Sequence, residues 1–256
     1  MRDDDAIAPV IAVMLILVVI VTLLSVYNAT YLPGLKQSAE VSHLHDVEEA
    51  ILKFGSDVET AASLKRNISL SQQVPLGGGD ILLNSLKSGG SLRVQQDDDP
   101  YLTISIGGEP PVDLFLVNFS YWTVNNFWVE QAYTWQYGYV NVSRVSGFRM
   151  VNSTPLQYAS MDKVDSSAFG NTLFMITDEP GKTVIEVVNF TAGDKRFSSG
   201  NGVGMLKLSA DTEVRQYPNA TFNFVIPDTP LKLLDPGEMG PVDLTLRLTK
   251  IRVEAY

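Results

Sequence analysis

The chain has 256 residues, a net charge of −10 and no cysteine. This acidic balance offers no basic domain for nucleic acid, and the missing cysteines exclude disulfides and thiolate metal sites. The 45 % of apolar residues is enough for an anchor and a globular core.

The first six residues, MRDDDA, form a polar leader ending in a small residue, and the apolar run AIAPVIAVMLILVVIVTLLSV fills 6–26. About 20 such residues rising 1.5 Å each match the roughly 30 Å hydrocarbon core of a bilayer. A membrane-spanning helix is therefore expected over 7–27. A secretory signal peptide fits less well, because its apolar region is about 7–15 residues behind a basic leader. Here Arg2 stands against Asp3, Asp4 and Asp5.

Pro33-Gly34 is expected to interrupt the helix, and an amphipathic stem helix follows over 35–66. Val41, Leu44, Val47, Ile51, Phe54, Val58 and Ala61 or Ala62 recur at steps of three and four, like a coiled-coil seam. If Pro33 only kinks the chain, the rod from Ile7 to Ala62 is about 84 Å long. Its apolar stripe needs a cover, either the chain's own β head or neighbouring copies. His43 and His45, two residues apart, point to nearly opposite helix faces and are expected to face solvent rather than share a metal.

Residues 67–256 read as an antiparallel, sandwich-like β head. Strands are expected at Ser91–Gln95, Tyr101–Ile106, Val112–Trp122, Trp128–Val142, Gly147–Val151 and Thr172–Thr177. Others follow at Thr183–Phe190, Gly204–Ser209, Thr212–Gln216, Thr221–Ile226 and Val242–Tyr256. Gly- and Pro-containing turns separate them. The last strand alternates at Val242, Leu244, Leu246 and Leu248, then resumes one residue out of phase at Ile251, Val253 and Ala255. A bulge near Thr249-Lys250 is the expected reason. The predicted fold class is α+β, a long apolar helix and stem followed by this head.

The head has no histidine, which removes Ser-His-Asp and Cys-His mechanisms, and no GxSxG, HExxH or P-loop spacing occurs. Asp97-Asp98-Asp99 before Pro100 reads as a solvated turn without calcium-loop spacing. Neither an enzyme nor a cofactor-binding protein is expected.

Two features point outward. Asn-x-Ser/Thr occurs at Asn28, Asn67, Asn118, Asn141, Asn152, Asn189 and Asn219, where chance placement gives roughly two such sites. The expected consequence is an exported, glycosylated head, with Asn28 too close to the membrane to be an acceptor. Ten aromatic residues crowd 115–139, with all three tryptophans among them. Tyr133, Trp135, Tyr137 and Tyr139, at period two, are expected on one strand face, either filling the core or forming an exposed platform for sugars or neighbouring subunits.

The segment DDDAIAPVIAVMLILVVIVTLLSV resembles the amino terminus of archaeal type IV pilin-like proteins: a charged leader, a small residue, then IAPVI and an aliphatic helix. The stem, the VPLGGGD stretch and the AYTWQYGYVNVSR strand are similar to a family of archaeal pilin-like surface proteins. The resemblance implies cleavage between Ala6 and Ile7 by a prepilin peptidase and association with membrane lipid before assembly. It also implies self-association, or packing with other pilin-like subunits, through the helix. The leader departs from the family by carrying aspartates where Lys or Arg is usual. The expectation is a structural subunit of a type IV filament or related surface assembly. The alternative is a permanently anchored surface protein whose head binds carbohydrate, the envelope or a protein.

Overall fold

The computed structural model describes residues 4–78, 88–124, 126, 128–146, 149–155, 167–227, 231, 233, 237 and 239–256. Asp4–Val26 is helical (α1), and Leu32–Leu64 (α2) continues the same rod. The interruption expected at Pro33-Gly34 is absent. Instead Tyr27–Tyr31 widens into a π-turn, in which the Leu32 N–H donates to the Tyr27 carbonyl. Proline has no N–H, and its ring crowds the carbonyl four residues back, that of Ala29. A looser turn at that point absorbs the fault without ending the helix. α2 stops at Lys65, left-handed at φ 47°, whose N–H donates to the Ala61 carbonyl.

The head is built from β1 (Ile68–Pro75), β2 (Gly89–Gln96), β3 (Leu102–Ile106), β4 (Val112–Leu114), β5 (Val117–Val124) and β6 (Gln131–Gln136). β7 (Tyr139–Ser146), β8 (Arg149–Pro155), helix α3 (Ser167–Leu173) and β9 (Phe174–Glu179) follow. β10 (Lys182–Gly200), β11 (Val203–Val225) and β12 (Met239–Ala255) complete it. The fold class is α+β, as the sequence implies. The described strands join in one sheet of order β4-β3-β11-β12-β10-β2-β5-β6-β7-β8, with β1 beside β11 and β9 beside β10. The head is not wholly antiparallel: Lys182–Ala192 of β10 runs parallel to Asp243–Val253 of β12. β10 shifts register between Ala192 and Arg196, and from Phe197 on it pairs with β2. It thus joins two half-sheets.

Strand boundaries differ from expectation in instructive ways. Gly204–Ser209, Thr212–Gln216 and Thr221–Ile226 merge into the single 23-residue strand β11, bent where its register slips between Tyr217 and Phe222. Val112–Trp122 divides at Phe115-Leu116 into β4 and β5. Thr172 and Leu173, expected in a strand, end α3 instead. Gly147 lies outside the described residues, as do Asp235 and Pro236 of one predicted turn.

The bulge expected at Thr249-Lys250 is also absent, because both neighbours pair with β12 in unbroken register there. Leu244, Leu246 and Leu248 are buried on one face, and Ile251, Val253 and Ala255 on the other. β10 switches in step, from Ile185 and Val187 to Phe190 and Ala192. The phase slip therefore marks a change in which face is covered. Over the first set, the end of β11 folds back far enough for Phe224 to meet Phe174 of β9, ring centroids 5.1 Å apart.

The second set faces α2. Leu44, Val47, Ile51, Phe54, Val58, Ala61 and Ala62 are buried, so the chain's own head covers the apolar stripe of the stem. Val41 is the exception and remains exposed. His43 corrects a sequence expectation: it is buried, with Nε2 3.0 Å from the Pro75 carbonyl and its ring edge-on to Tyr121, whereas His45 is exposed.

Candidate functional site

The first functional surface is the upper rod. Every large apolar side chain singled out between Val10 and Val26 is 50–66 % exposed. The helix is long and apolar enough to cross a membrane, and its most apolar stretch is not buried against the head. Its few polar groups are turned inward: the Thr22 and Thr30 hydroxyls donate to the Val18 and Val26 carbonyls, and the Asn28 amide to Leu24. Ala6 and Ile7 sit within α1 near its start.

From Glu40 onward the rod belongs to the head. The Glu40 carboxylate accepts from the N–H groups of Trp128 at 2.9 Å and Val129 at 3.3 Å. Phe54 meets Phe119 edge-on at 5.0 Å, and Phe119 stacks on Trp135 at 5.1 Å. Trp135 meets Phe169 of α3 edge-on at 5.4 Å. At the far end Lys65 bonds Glu186 at 3.3 Å, which in turn binds Arg247 at 3.0 Å. Glu40 carries no motif, so sequence reasoning missed it; the only available signal was a carboxylate beside the apolar stripe.

Of the two readings of the aromatic run, core filling holds for its first two members, but the four residues do not share one strand face. Trp128–Val142 is not one strand but the hairpin β6–β7, turned at Tyr137-Gly138 with both residues at positive φ, 56° and 85°. That is the geometry of a two-residue type I′ turn, in which Asn-Gly is the usual choice. A tyrosine held left-handed costs on the order of 1 kcal/mol. Tyr133 and Trp135 are buried in the core, which removes them from any exposed surface, while Tyr137 and Tyr139 stay half-buried.

The sequons separate by environment. Asn67 and Asn219 are exposed, Asn219 in a left-handed turn at φ 51°. Asn141 is half-buried on β7. Asn118 and Asn189 are half-buried and engaged: Asn118 Nδ2 donates to Asp97 Oδ1 at 3.2 Å, and Asn189 Oδ1 accepts from the Phe115 N–H at 2.9 Å. Asn152 lies on β8, and its side chain is outside the described residues.

The second surface is an open, mainly polar cleft of about 510 Å³ between the end of β2, β5 and the β6–β7 turn, lined by Gln95, Gln96, Asp97, Asn118, Gln136 and Tyr137. Asp98 and Asp99 stand at its rim. Burial pushes the Asp97 carboxyl above its ordinary range, the Asn118 amide opposes this, and the Asp98 charge adds to it. The Tyr137 hydroxyl is also pushed up, first by burial and then by the charge of Asp97. The aspartate run is therefore more than a solvated turn, since its first member sits half inside the cleft. Among the described residues no group of three or more His, Cys, Asp or Glu converges to hold a metal.

These two surfaces define a β-headed protein carried on a long helix whose upper part is apolar and uncovered. No family model matches the chain, and neither a curated protein nor a solved structure does.

Proposed function

We propose that the chain is a pilin-like structural subunit of a type IV filament or related surface assembly, held in the cell membrane with its head outside before it assembles. The observation that carries this reading is the division of one continuous helix. Its upper part exposes apolar side chains all round, and its lower part is clasped by the head from Glu40 onward. Such a surface requires an apolar surrounding, either lipid or the helices of neighbouring copies. A rigid link between helix and head lets the same rod serve in both. The Tyr27–Tyr31 pair, 5.6 Å apart where the apolar run ends, suits the boundary between hydrocarbon and water.

The test is the mass of the amino-terminal peptide from cells. Cleavage by a prepilin peptidase gives a mature chain beginning at Ile7, recovered in sheared surface filaments. A mature chain that keeps Met1 or Arg2 refutes the processed-subunit reading. The polar cleft favours a second reading, a permanently anchored surface protein whose head binds a partner outside the cell.

A further inference from the structure

We infer that the cleft between β2, β5 and the β6–β7 turn is a binding site for a neutral saccharide. The inference rests on the second reading above, in which the exported head recognises something outside the cell. Its place in the fold suits that role. Trp128 marks the end of the head nearest the apolar helix, because its N–H is bonded to Glu40. Trp135, two residues before the cleft's Tyr137, lies against Gly55, about 22 Å farther along α2 at 1.5 Å per residue. The cleft thus opens at the end of this half-sheet away from the span.

The lining selects the ligand class. A cavity of about 510 Å³ falls within the range of small-molecule sites. Its walls carry side-chain amides and a carboxylate, which donate to and accept from hydroxyl groups. Asp97, Asp98 and Asp99 together repel an anion. The carboxylates do not converge as a metal site would require. Of the uncharged ligand classes, a hydroxyl-rich molecule matches this lining of amides and a carboxylate best. Tyr137 supplies the other face of a sugar, since an aromatic ring covers the C–H side of a pyranose while the amides hold its hydroxyls.

Tyr137 is also where local and functional demands part. At φ 56° before Gly138, Asn is the better turn residue and Tyr a costly one. A residue that breaks the local rule at the mouth of a cleft is the mark of a site rather than of packing alone.

The experiment uses the full chain in detergent micelles on a printed array of neutral oligosaccharides built from hexoses and N-acetylhexosamines, beside their sulfated and sialylated counterparts. At least one neutral oligosaccharide is retained. Tyr137→Asn weakens that binding tenfold or more in a chain that still unfolds cooperatively, and Gln95→Ala, at an exposed wall position, weakens it at least threefold. Retention of no neutral probe, stronger binding of the charged ones, or wild-type binding by Tyr137→Asn each overturns the assignment. The amino-terminal peptide from the same preparation reports processing separately, so failure of the cleft is distinguishable from failure of either reading of the anchor.

Discussion

Gly55 is the point at which the helix and the head come closest, and replacing it by alanine tests how the rod is held. A Cβ at this position would lie 2.7 Å from Cδ1 and 2.9 Å from Nε1 of Trp135. Ordinary carbon contacts begin near 3.5 Å, so roughly 0.8 Å must be found. Trp135 cannot supply it easily, because its ring is buried between Phe119 and Phe169. Overpacking costs about 1–3 kcal/mol, and against a ring held on both sides it falls in the upper part of that range, about 2–3 kcal/mol, while alanine regains about 1 kcal/mol of helix propensity over glycine. The net loss is about 1–2 kcal/mol, or about 2–8 °C in the melting temperature of a head this size. Thermal unfolding of the full chain in detergent, followed by near-ultraviolet circular dichroism, reads it directly. Gly34→Ala in the same helix is the control: nothing lies within 4 Å of the added carbon, and no loss is expected. Trp135→Phe removes Nε1, one of the two crowding atoms and a buried donor with no partner, and leaves a smaller ring that can shift, so the double variant should recover about 1 kcal/mol of the sum of the singles. A Gly55→Ala chain as stable as wild type, with strictly additive behaviour in the double variant, would refute the close seating of α2 on β6.

Glu40→Ala strands the Trp128 and Val129 N–H groups and should lower stability by about 1–3 kcal/mol in the same unfolding assay, with little change for Glu49→Ala on the exposed face. Asp97 titrates above its ordinary range because it is half-buried, so folding favours its protonated form. The stability it contributes is present below about pH 4 and is lost as pH rises through its raised folded value. Melting temperatures of wild type and Asp97→Asn should therefore lie close together near pH 3.5, with the variant moving ahead toward pH 7; a constant gap across that range would contradict the assignment. If the head is glycosylated, Asn67 and Asn219 should carry glycan and Asn189 should not, since it is half-buried inside β10 between strands while the other two are exposed. Peptide mass spectrometry decides this, and a fully occupied Asn189 would count against the β10 packing.

Much of the architecture was legible because it rests on periodicity. The apolar run and the Leu44–Ala62 stripe follow from spacing alone, since a single helix face must find a cover. What spacing could not decide was the identity of that cover, which depends on contacts between residues more than 100 positions apart, such as Lys65 with Glu186. Pro33 misled because a proline signals lost hydrogen bonding but not whether a π-turn will absorb the loss. The Trp128–Val142 segment misled for a related reason: Tyr-Gly does not advertise a type I′ turn as Asn-Gly does, so two antiparallel strands read as one. The slip in β12 was seen correctly in sequence and explained wrongly, because a change of covered face and a bulge shift the apolar phase identically. In the candidate site, the aspartate run and the tyrosines were visible separately. Only the β2–β5 pairing, which sets Gln95 opposite Asn118, brings them to one cleft.

The division of the helix also constrains what the protein can do in water. The chain leaves more than a dozen large apolar residues of α1 at least half exposed, and at about 25 cal/mol per Å² such a surface is not left to solvent. Between Tyr31 and Glu40 the rod runs about 14 Å, with Leu32, Pro33, Leu35, Lys36 and Ala39 half-buried, Tyr31 exposed at one end and Val41 just past the other. A single copy in a bilayer leaves Tyr31 and Val41 of this neck exposed. Neighbouring copies packed along their helices would cover both the apolar run and the neck at once. Lipid can cover only the first. The exposed Val41, the one member of the predicted stripe that the head leaves out, is therefore the residue that separates the two proposed environments. Val41→Lys should leave insertion and folding of the isolated chain unchanged while weakening association of copies, as read by cross-linking yield in membranes. Equal cross-linking by Val41→Lys and wild type would remove the neck from the assembly surface.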